Sequence, residues 1–121
     1  MTLFWEKSMS PVASYAALGA AIVLEVIGTT FLQKSEQFTK AIPTVVMACC
    51  YLSAFYFLSL GLKTIPVGLA YAIWSGMGIV LISAIGYFVF RQTLDTAALV
   101  GLSFIVIGVV IVNGFSKSVA H

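Results

Sequence analysis

The sequence predicts an all-α membrane protein whose single domain contains four transmembrane helices. Of its 121 residues, 61% are hydrophobic and only 8% are charged, whereas soluble domains carry about 25% charged residues. The charges divide the chain into four long apolar runs. Each run reaches the length of about 20 residues that a helix needs to cross a bilayer core. Each must be helical, because lipid offers no partners to an open backbone.

The predicted helices comprise residues 12–33, 41–62, 66–90 and 96–116. They form one domain over residues 12–118, preceded by an N-terminal extension (1–11) and followed by a short C-terminal tail (119–121). Pro66 stands at the start of the third helix, where the missing N–H of a proline costs no hydrogen bond. The first helix is not predicted to be a cleavable signal peptide, because it is too long and carries Glu25.

The basic residues give no preferred orientation in the membrane. Four helices place both chain termini on one side. That side carries Lys7, Lys63 and Lys117, and the opposite side carries Lys34, Lys40 and Arg91. Because lysine and arginine bias the orientation and the two sides are balanced, we expect the chain to insert in both directions. Insertion in both directions allows an antiparallel homodimer.

Motifs of the common enzyme classes are absent from the sequence. It has no phosphate-binding glycine loop, no His/Cys metal constellation and no Ser/His/Asp set, and its only histidine is His121. Cys49 and Cys50 are neighbours in an apolar run and are interpreted as small buried side chains rather than a disulfide or metal ligands. The net charge of +2 is too small to suggest a nucleic-acid partner. We therefore expect no enzyme activity, no metal and no cofactor, and membrane lipid as the surrounding partner.

Glu25 lies near the middle of the first predicted helix and is its only acidic residue. A charge at that depth costs about 2.5–3.5 kcal/mol on insertion scales, which favours a functional role. The alternative is a permanently protonated glutamate that hydrogen-bonds a neighbouring helix. Helical spacing places a set of mostly small or apolar residues on the same side, with room for a ligand or for close helix approach: Ala17, Leu18, Ala21, Ile22, Gly28, Thr29 and Leu32. Of these, Leu18, Ala21 and Gly28 are predicted to line the pocket.

Aromatic residues recur at helical spacing on two other predicted helices. In the third helix, Tyr71, Trp74, Ser75 and Gly78 fall at i, i+3, i+4 and i+7, and in the second helix Tyr51 and Phe55 fall at i and i+4. Aromatic rings bind cations by their π-faces, at about 2 kcal/mol or more when desolvated. Together with Glu25 they predict a cation site. The alternative is that the rings fill the bundle or lie at the membrane interface.

Two glycine pairs indicate helix geometry rather than chemistry. Gly76 and Gly78 weaken the third helix and permit a bend there, although close packing explains either glycine alone. Gly101 and Gly108 lie two turns apart on one stripe of the fourth helix. Such a strip suits contact between helices, and a dimer interface is its predicted use.

Three stretches of the sequence resemble the small multidrug resistance transporters: Glu25-Val26-Ile27-Gly28-Thr29-Thr30, Ala70 to Gly76 with Gly78, and Gly101 with Gly108. The resemblance covers about residues 12–118. It implies an antiparallel homodimer in the bacterial inner membrane that exchanges protons for hydrophobic cations. At matching positions, Glu25 would be the shared proton and substrate carboxylate, and Tyr51, Tyr71 and Trp74 would line the site with Phe55 and Ser75 nearby.

The resemblance also implies a branch of the family. Guanidinium exporters typically have tryptophan at the position of Gly28 and threonine at that of Ser75. Gly28, Tyr51 and Ser75 therefore favour the branch that exports quaternary ammonium and polyaromatic cations. The expected function is multidrug efflux by proton antiport, with two protons exchanged per cation at a pair of Glu25 residues and no cofactor beyond the proton gradient.

Two other functions remain as alternatives. The first is a guanidinium exporter of the same family. The second is a non-transporting bundle, either a small pore or a structural membrane subunit. A pore should line its path with repeated polar positions, whereas the sequence offers one carboxylate with aromatic residues. A structural subunit would have no need of Glu25.

Overall fold

A computed structural model describes residues 10–115 as four α-helices joined by short connectors. The helices are α1 (Pro11–Lys34), α2 (Ala41–Gly61), α3 (Val67–Phe88) and α4 (Thr96–Phe115). Each is long and apolar enough to cross a membrane, which confirms the predicted fold class. The ends of the helices lie within two residues of the predicted ones, and the starts at residues 41 and 96 coincide with them. Most of the predicted N-terminal extension and all of the predicted C-terminal tail lie outside the described residues, as do Lys7 and Lys117.

Both ends of α1 are capped by serine. Ser10 is the N-cap, and its Oγ accepts a hydrogen bond of 3.1 Å from the backbone N–H of Ala13, while Pro11 occupies the first helical position. At the other end Ser35 is fully buried. Its Oγ donates to the carbonyl oxygen of Leu32 at 2.7 Å and accepts from the N–H of Phe38 at 3.2 Å. Ser35 therefore satisfies backbone groups that the end of a helix would leave unpaired.

The connector between α1 and α2 has a strained backbone. Glu36, Gln37 and Phe38 have φ angles of 48°, 62° and 67°, in the left-handed region that costs an L-residue about 1–2 kcal/mol. The turn is held by the carbonyl oxygen of Ser35, which accepts from Thr39 N at 3.0 Å and Lys40 N at 3.1 Å. These bonds allow six residues to reverse the chain without a glycine.

The third helix ends at Phe88, two residues before the predicted end at residue 90. The reason lies in the connector that follows. Arg91 has a φ of 56° and turns the chain back, so that Gln92 N donates to the carbonyl oxygen of Gly86 at 2.9 Å. The next helix then begins at an Asp95 cap, whose Oδ1 accepts from Ala98 N at 2.9 Å.

The first helix is the centre of the packing. It contacts both α2 and α3, and α4 packs against α3. The buried core joins three residues of α1 to one residue of the connector before α3 and two at the start of α3: Leu18, Ile22, Val26, Ile65, Leu69 and Ala70. A hydrogen bond of 2.8 Å from Ser14 Oγ to Thr64 Oγ1 fixes α1 to the connector between α2 and α3. Consequently α1 cannot shift along its axis without breaking contacts with both neighbours.

The fourth helix is attached to the bundle along one side only. None of its residues is buried. It approaches α3 at Gly76, where an added Cβ would lie 2.6 Å from Val109 Cγ2, so close packing explains Gly76 directly. The third helix is continuous through Gly76 and Gly78, and the bend expected there stays a prediction.

Replacing Gln37 by glycine should stabilise the protein, because glycine adopts a positive φ without the steric cost. We expect a gain of about 0.5–1 kcal/mol, since the greater freedom of glycine in the unfolded chain offsets part of the relief. Thermal unfolding in detergent micelles, followed by circular dichroism, measures the effect. Gln37→Ala is the control, because it removes the same side chain but keeps Cβ, and it should bring no gain. Equal midpoints for the two variants would contradict the explanation.

Candidate functional site

The site is built around Glu25, which lies half-buried on α1 and faces α3. A cavity of about 190 Å³ opens beside the carboxylate and is lined by Glu25, Thr29, Trp74, Ser75, Gly78, Ile79 and Ile82. Three residues of the stripe predicted on the third helix, Trp74, Ser75 and Gly78, therefore meet Glu25 at the cavity. Apart from the carboxylate, the lining is mostly apolar. Such a lining suits a ligand that is lipophilic and positively charged.

The two oxygens of the Glu25 carboxylate have different surroundings. Oε1 accepts a hydrogen bond of 2.9 Å from Thr29 Oγ1, one turn further along α1. Oε2 faces Gly78 on α3, where an added Cβ would lie 4.0 Å from Oε2 and 3.7 Å from Trp74 Cδ1. The missing side chain at Gly78 thus leaves space between Oε2 and the indole ring. One oxygen is held by the protein, and the other is presented to the cavity.

Tyr51 of α2 reaches the carboxylate through Thr29. Its hydroxyl lies 2.8 Å from Thr29 Oγ1. A threonine hydroxyl has a single hydrogen, and in this structure that hydrogen is given to Glu25. Tyr51 is therefore the donor to Thr29. Two O–H groups in series therefore point toward the carboxylate, and hydrogen bonds of this kind are stronger when the acceptor is charged.

Gly28 makes this arrangement possible. A Cβ added at Gly28 would lie 2.8 Å from both Cδ1 and Cε1 of Tyr51 and 3.3 Å from Cβ of Cys50. Contacts at 2.8 Å are too short for carbon atoms, so any larger residue would push the tyrosine ring away. The absence of a side chain lets α2 lie close against α1, and this closeness brings the Tyr51 hydroxyl to Thr29.

The other predicted site residues lie elsewhere in the single chain. Leu18 and Ala21 are fully buried between helices and do not line the cavity. Tyr71 and Phe55 are exposed, at 59% and 60%, and point away from the packed interior. Their assignment to the site stays a prediction.

Gly101 and Gly108 lie on the exposed surface of α4, and a Cβ added at either would meet nothing within 4 Å. Within residues 10–115, nothing therefore packs closely on α4 at these two positions. This surface is accessible to a second molecule, and the predicted role of the two glycines in a dimer interface stays a prediction.

Thr29 contacts Glu25 directly, and the sequence did not single it out. Helical spacing put it on the side of Glu25, but its hydroxyl was given no role. A hydroxyl residue four positions after an intramembrane carboxylate lies within hydrogen-bond reach on the same helix. That spacing is the signal by which Thr29 could have been found.

Comparison with known proteins places this chain in a family. A family model described as Small Multidrug Resistance protein matches residues 13–105, from the first turn of α1 into α4. The chain is 54% identical over 101 residues to the quaternary ammonium compound-resistance protein QacE of Escherichia coli, covering 84% of the chain and 92% of the relative. It is 49% identical over 107 residues to the multidrug transporter EmrE of Escherichia coli strain K12, covering 88% of the chain and 97% of the relative. A third relative, the quaternary ammonium compound-resistance protein QacF of Klebsiella aerogenes, is 50% identical over 104 residues, covering 86% and 94%.

Gly28→Ala should destabilise the protein by about 1–3 kcal/mol, because the new methyl group overlaps the Tyr51 ring. The measurement is the free energy of unfolding in mixed micelles. Gly19→Ala is the matched control on the same helix, since a Cβ at Gly19 meets nothing within 4 Å. It should be neutral or stabilising by about 0.5–1 kcal/mol. If both variants behaved alike, the contact between Gly28 and Tyr51 would not be what holds α2 against α1.

Proposed function

The chain belongs to the small multidrug resistance family, and we propose that it is a proton-coupled antiporter that exports lipophilic aromatic and quaternary ammonium cations. It is a multi-pass protein of the bacterial inner membrane with four apolar spans. Relatives named for multidrug transport and for resistance to quaternary ammonium compounds support this class of substrate. Its role is transport rather than catalysis.

The observation that carries the proposal is the position of Glu25 in an apolar span beside a cavity and an indole ring. A carboxylate in such surroundings must be neutralised, either by a proton or by a cation. The cavity gives a lipophilic cation apolar contact and the face or edge of Trp74. Proton and cation then compete for the same carboxylate, and each leaves when the other replaces it. Competition at a site that opens to one side at a time is sufficient for exchange.

The proposed working unit is an antiparallel homodimer in which two Glu25 residues share one chamber. Three features support a second copy. The site is incomplete in one chain, because Tyr71 and Phe55 are exposed. A Cβ added at Gly101 or Gly108 of α4 would meet none of the described residues within 4 Å. The balance of lysine and arginine allows insertion in both directions.

The driving force is adequate without a nucleotide. Exchange of two protons for one monovalent cation moves one net positive charge inward, which yields about 2.3 kcal/mol per 100 mV. One pH unit across two protons adds about 2.7 kcal/mol, at about 1.36 kcal/mol per proton. Together these terms support a cation gradient of more than about a thousandfold.

The packing of Gly28 supports the quaternary ammonium branch over guanidinium export. Position 28 lies beneath the ring of Tyr51, with 2.8 Å left for an added Cβ. The tryptophan that is typical of guanidinium exporters at this position has no room while Tyr51 keeps its place. Gly28 and Tyr51 thus pack as a pair, and we take this pair to favour the branch of the family that exports the larger quaternary ammonium and polyaromatic cations.

Glu25→Gln should abolish proton-driven transport while leaving the fold intact, because it keeps the shape of the side chain and removes its charge. Uptake of a fluorescent lipophilic cation into proteoliposomes with an imposed pH gradient measures this, and we expect a loss of more than about a hundredfold. Glu36→Gln is the control. It removes a carboxylate whose salt bridge to Lys40 (3.2 Å) is solvent-exposed, and it should transport like the wild type. Gradient-driven uptake by Glu25→Gln would rule out the mechanism.

Gly108→Leu should reduce dimerisation without unfolding the chain, because position 108 is uncovered in the single chain and a bulky residue prevents close approach of two α4 helices. Crosslinking in micelles measures the dimer, and circular dichroism checks helix content. Gly114→Leu, on a different face of α4 and equally uncovered, should crosslink like the wild type. A wild-type yield of crosslinked dimer in Gly108→Leu would mean that the interface lies elsewhere.

A further inference from the structure

A single threonine links the proposed proton-binding carboxylate to a tyrosine on a different helix. Thr29 Oγ1 lies 2.9 Å from Glu25 Oε1 and 2.8 Å from Tyr51 Oη. Glu25 and Thr29 are half-buried on α1, and Tyr51 is half-buried on α2. The Thr29 hydroxyl therefore connects Glu25 to Tyr51 by two consecutive hydrogen bonds.

We propose that Thr29 is a positioning residue for exchange: it holds Oε1 of Glu25 through a hydrogen bond that Tyr51 reinforces, so that proton and cation compete at Oε2. This inference rests on the proposed antiport at Glu25 and deepens it. It assigns the two carboxylate oxygens different tasks and makes Tyr51 act on the cation through Glu25 as well as through its ring.

The geometry at Oε2 supports this division. Oε2 and Trp74 Cδ1 both lie within 4.0 Å of the Cβ position that Gly78 leaves empty. A cation that entered the cavity would therefore meet Oε2 and the indole together. Oε1, in contrast, is turned toward the interface between α1 and α2, where Thr29 already occupies it.

The hydroxyl chain responds to the charge on Glu25. While Glu25 is ionised, Tyr51 donates to Thr29 and Thr29 donates to a full negative charge, which is the stronger kind of hydrogen bond. A proton that binds Oε2 removes that charge, and Oε1 becomes the carbonyl oxygen of an acid, a weaker acceptor. No proton leaves Thr29 or Tyr51 in this step. The hydrogen bond donated by Tyr51 nevertheless becomes weaker, so the protonation state of the Glu25 carboxyl alters the hydrogen bonding of a residue on α2.

Tyr51 is the titratable group that reaches Glu25 from α2. From α3, the residues that share the cavity are Trp74 and Ser75, which do not titrate in the neutral range, while Tyr71 of the same helix is exposed and does not line the cavity. The fourth helix packs against α3 and contributes no residue to the cavity lining. The response of Tyr51 is therefore expected to follow Glu25 rather than another group.

The chain contains a matched control one position away. Thr30 is also half-buried on α1, but its Oγ1 donates to the carbonyl oxygen of Val26 within the same helix at 2.9 Å. Thr29→Val and Thr30→Val make the same chemical change in the same turn. Only the first removes the link between Glu25 and Tyr51.

The test measures binding of tetraphenylphosphonium to the purified full-length protein in micelles over a range of pH. Thr29→Val should weaken binding about tenfold, the scale expected for the loss of a hydrogen bond to a charged group. Thr29→Ser restores the hydroxyl and should bind within about threefold of the wild type. Thr30→Val should bind like the wild type. Tyr51→Phe should weaken binding when made alone but add nothing in the Thr29→Val background, because the two residues act in series.

A second measurement reports the link directly. The Cζ carbon of ¹³C-labelled Tyr51 should change its chemical shift with pH in the wild type, in parallel with the loss of cation binding. The change should vanish in Glu25→Gln and in Thr29→Val and persist in Thr30→Val. This signal tests the inference even if Thr29→Val assembles poorly, because the wild type and Glu25→Gln alone decide whether Tyr51 senses the carboxyl.

The outcomes separate the two proposals. If protons do not compete with tetraphenylphosphonium in the wild type, the proposed antiport fails. If they compete, but Thr29→Val binds like Thr30→Val or the Thr29 and Tyr51 effects simply add, the positioning role of Thr29 is overturned while antiport stands. A Tyr51 signal that ignores pH, or that titrates unchanged in Glu25→Gln, also overturns it.

Discussion

A carboxylate in an apolar span is the constraint on which the rest of this structure depends. Ionised and unpartnered, it would cost several kcal/mol, and the chain meets that cost without a permanent positive charge. Thr29 supplies a hydrogen bond, Tyr51 reinforces it, and Gly28 removes the side chain that would keep Tyr51 away. This support is partial by its nature. It reaches Oε1 only, and Oε2 is left open to the proton or the cation of the proposed exchange.

The packing of the helices follows from placing that carboxylate on α1. One face of α1 is fixed in the core by Leu18, Ile22 and Val26, against the residues that begin α3. The adjoining face carries Glu25 and Thr29 beside the cavity. Because α1 contacts both α2 and α3, the donor and the cavity wall are positioned by the same helix that bears the carboxylate. The fourth helix lies outside this unit and is free to serve another contact.

The sequence predicted what depends on composition and on spacing within one helix. Charge gaps gave the four helices to within one or two residues, and periodicity put Trp74 and Ser75 on one stripe. It did not predict the link between Thr29 and Tyr51, because that link depends on how α2 is placed against α1. Gly28 was expected to line the pocket, and its contact with Tyr51 is a property of two helices. The left-handed turn at Glu36–Phe38 left no signal, since no glycine marks it.

One part of the site is complete within a single chain and another part is not, and this difference bears on how the proposed exchange would work. Oε1 of Glu25 is supported entirely by its own chain, through Thr29 and Tyr51. Tyr71 and Phe55, which are also predicted to line the site, are not covered in the single chain and are more than half exposed. The proposed antiport requires that the carboxylate keep the same geometry whichever ion is bound, yet let its ligand escape to either side. Support of Oε1 from within the chain satisfies the first demand, because it persists when the chamber opens. In the proposed dimer, closure of Oε2 by a second copy would satisfy the second demand, because an interface between chains can rearrange without disturbing the core of either.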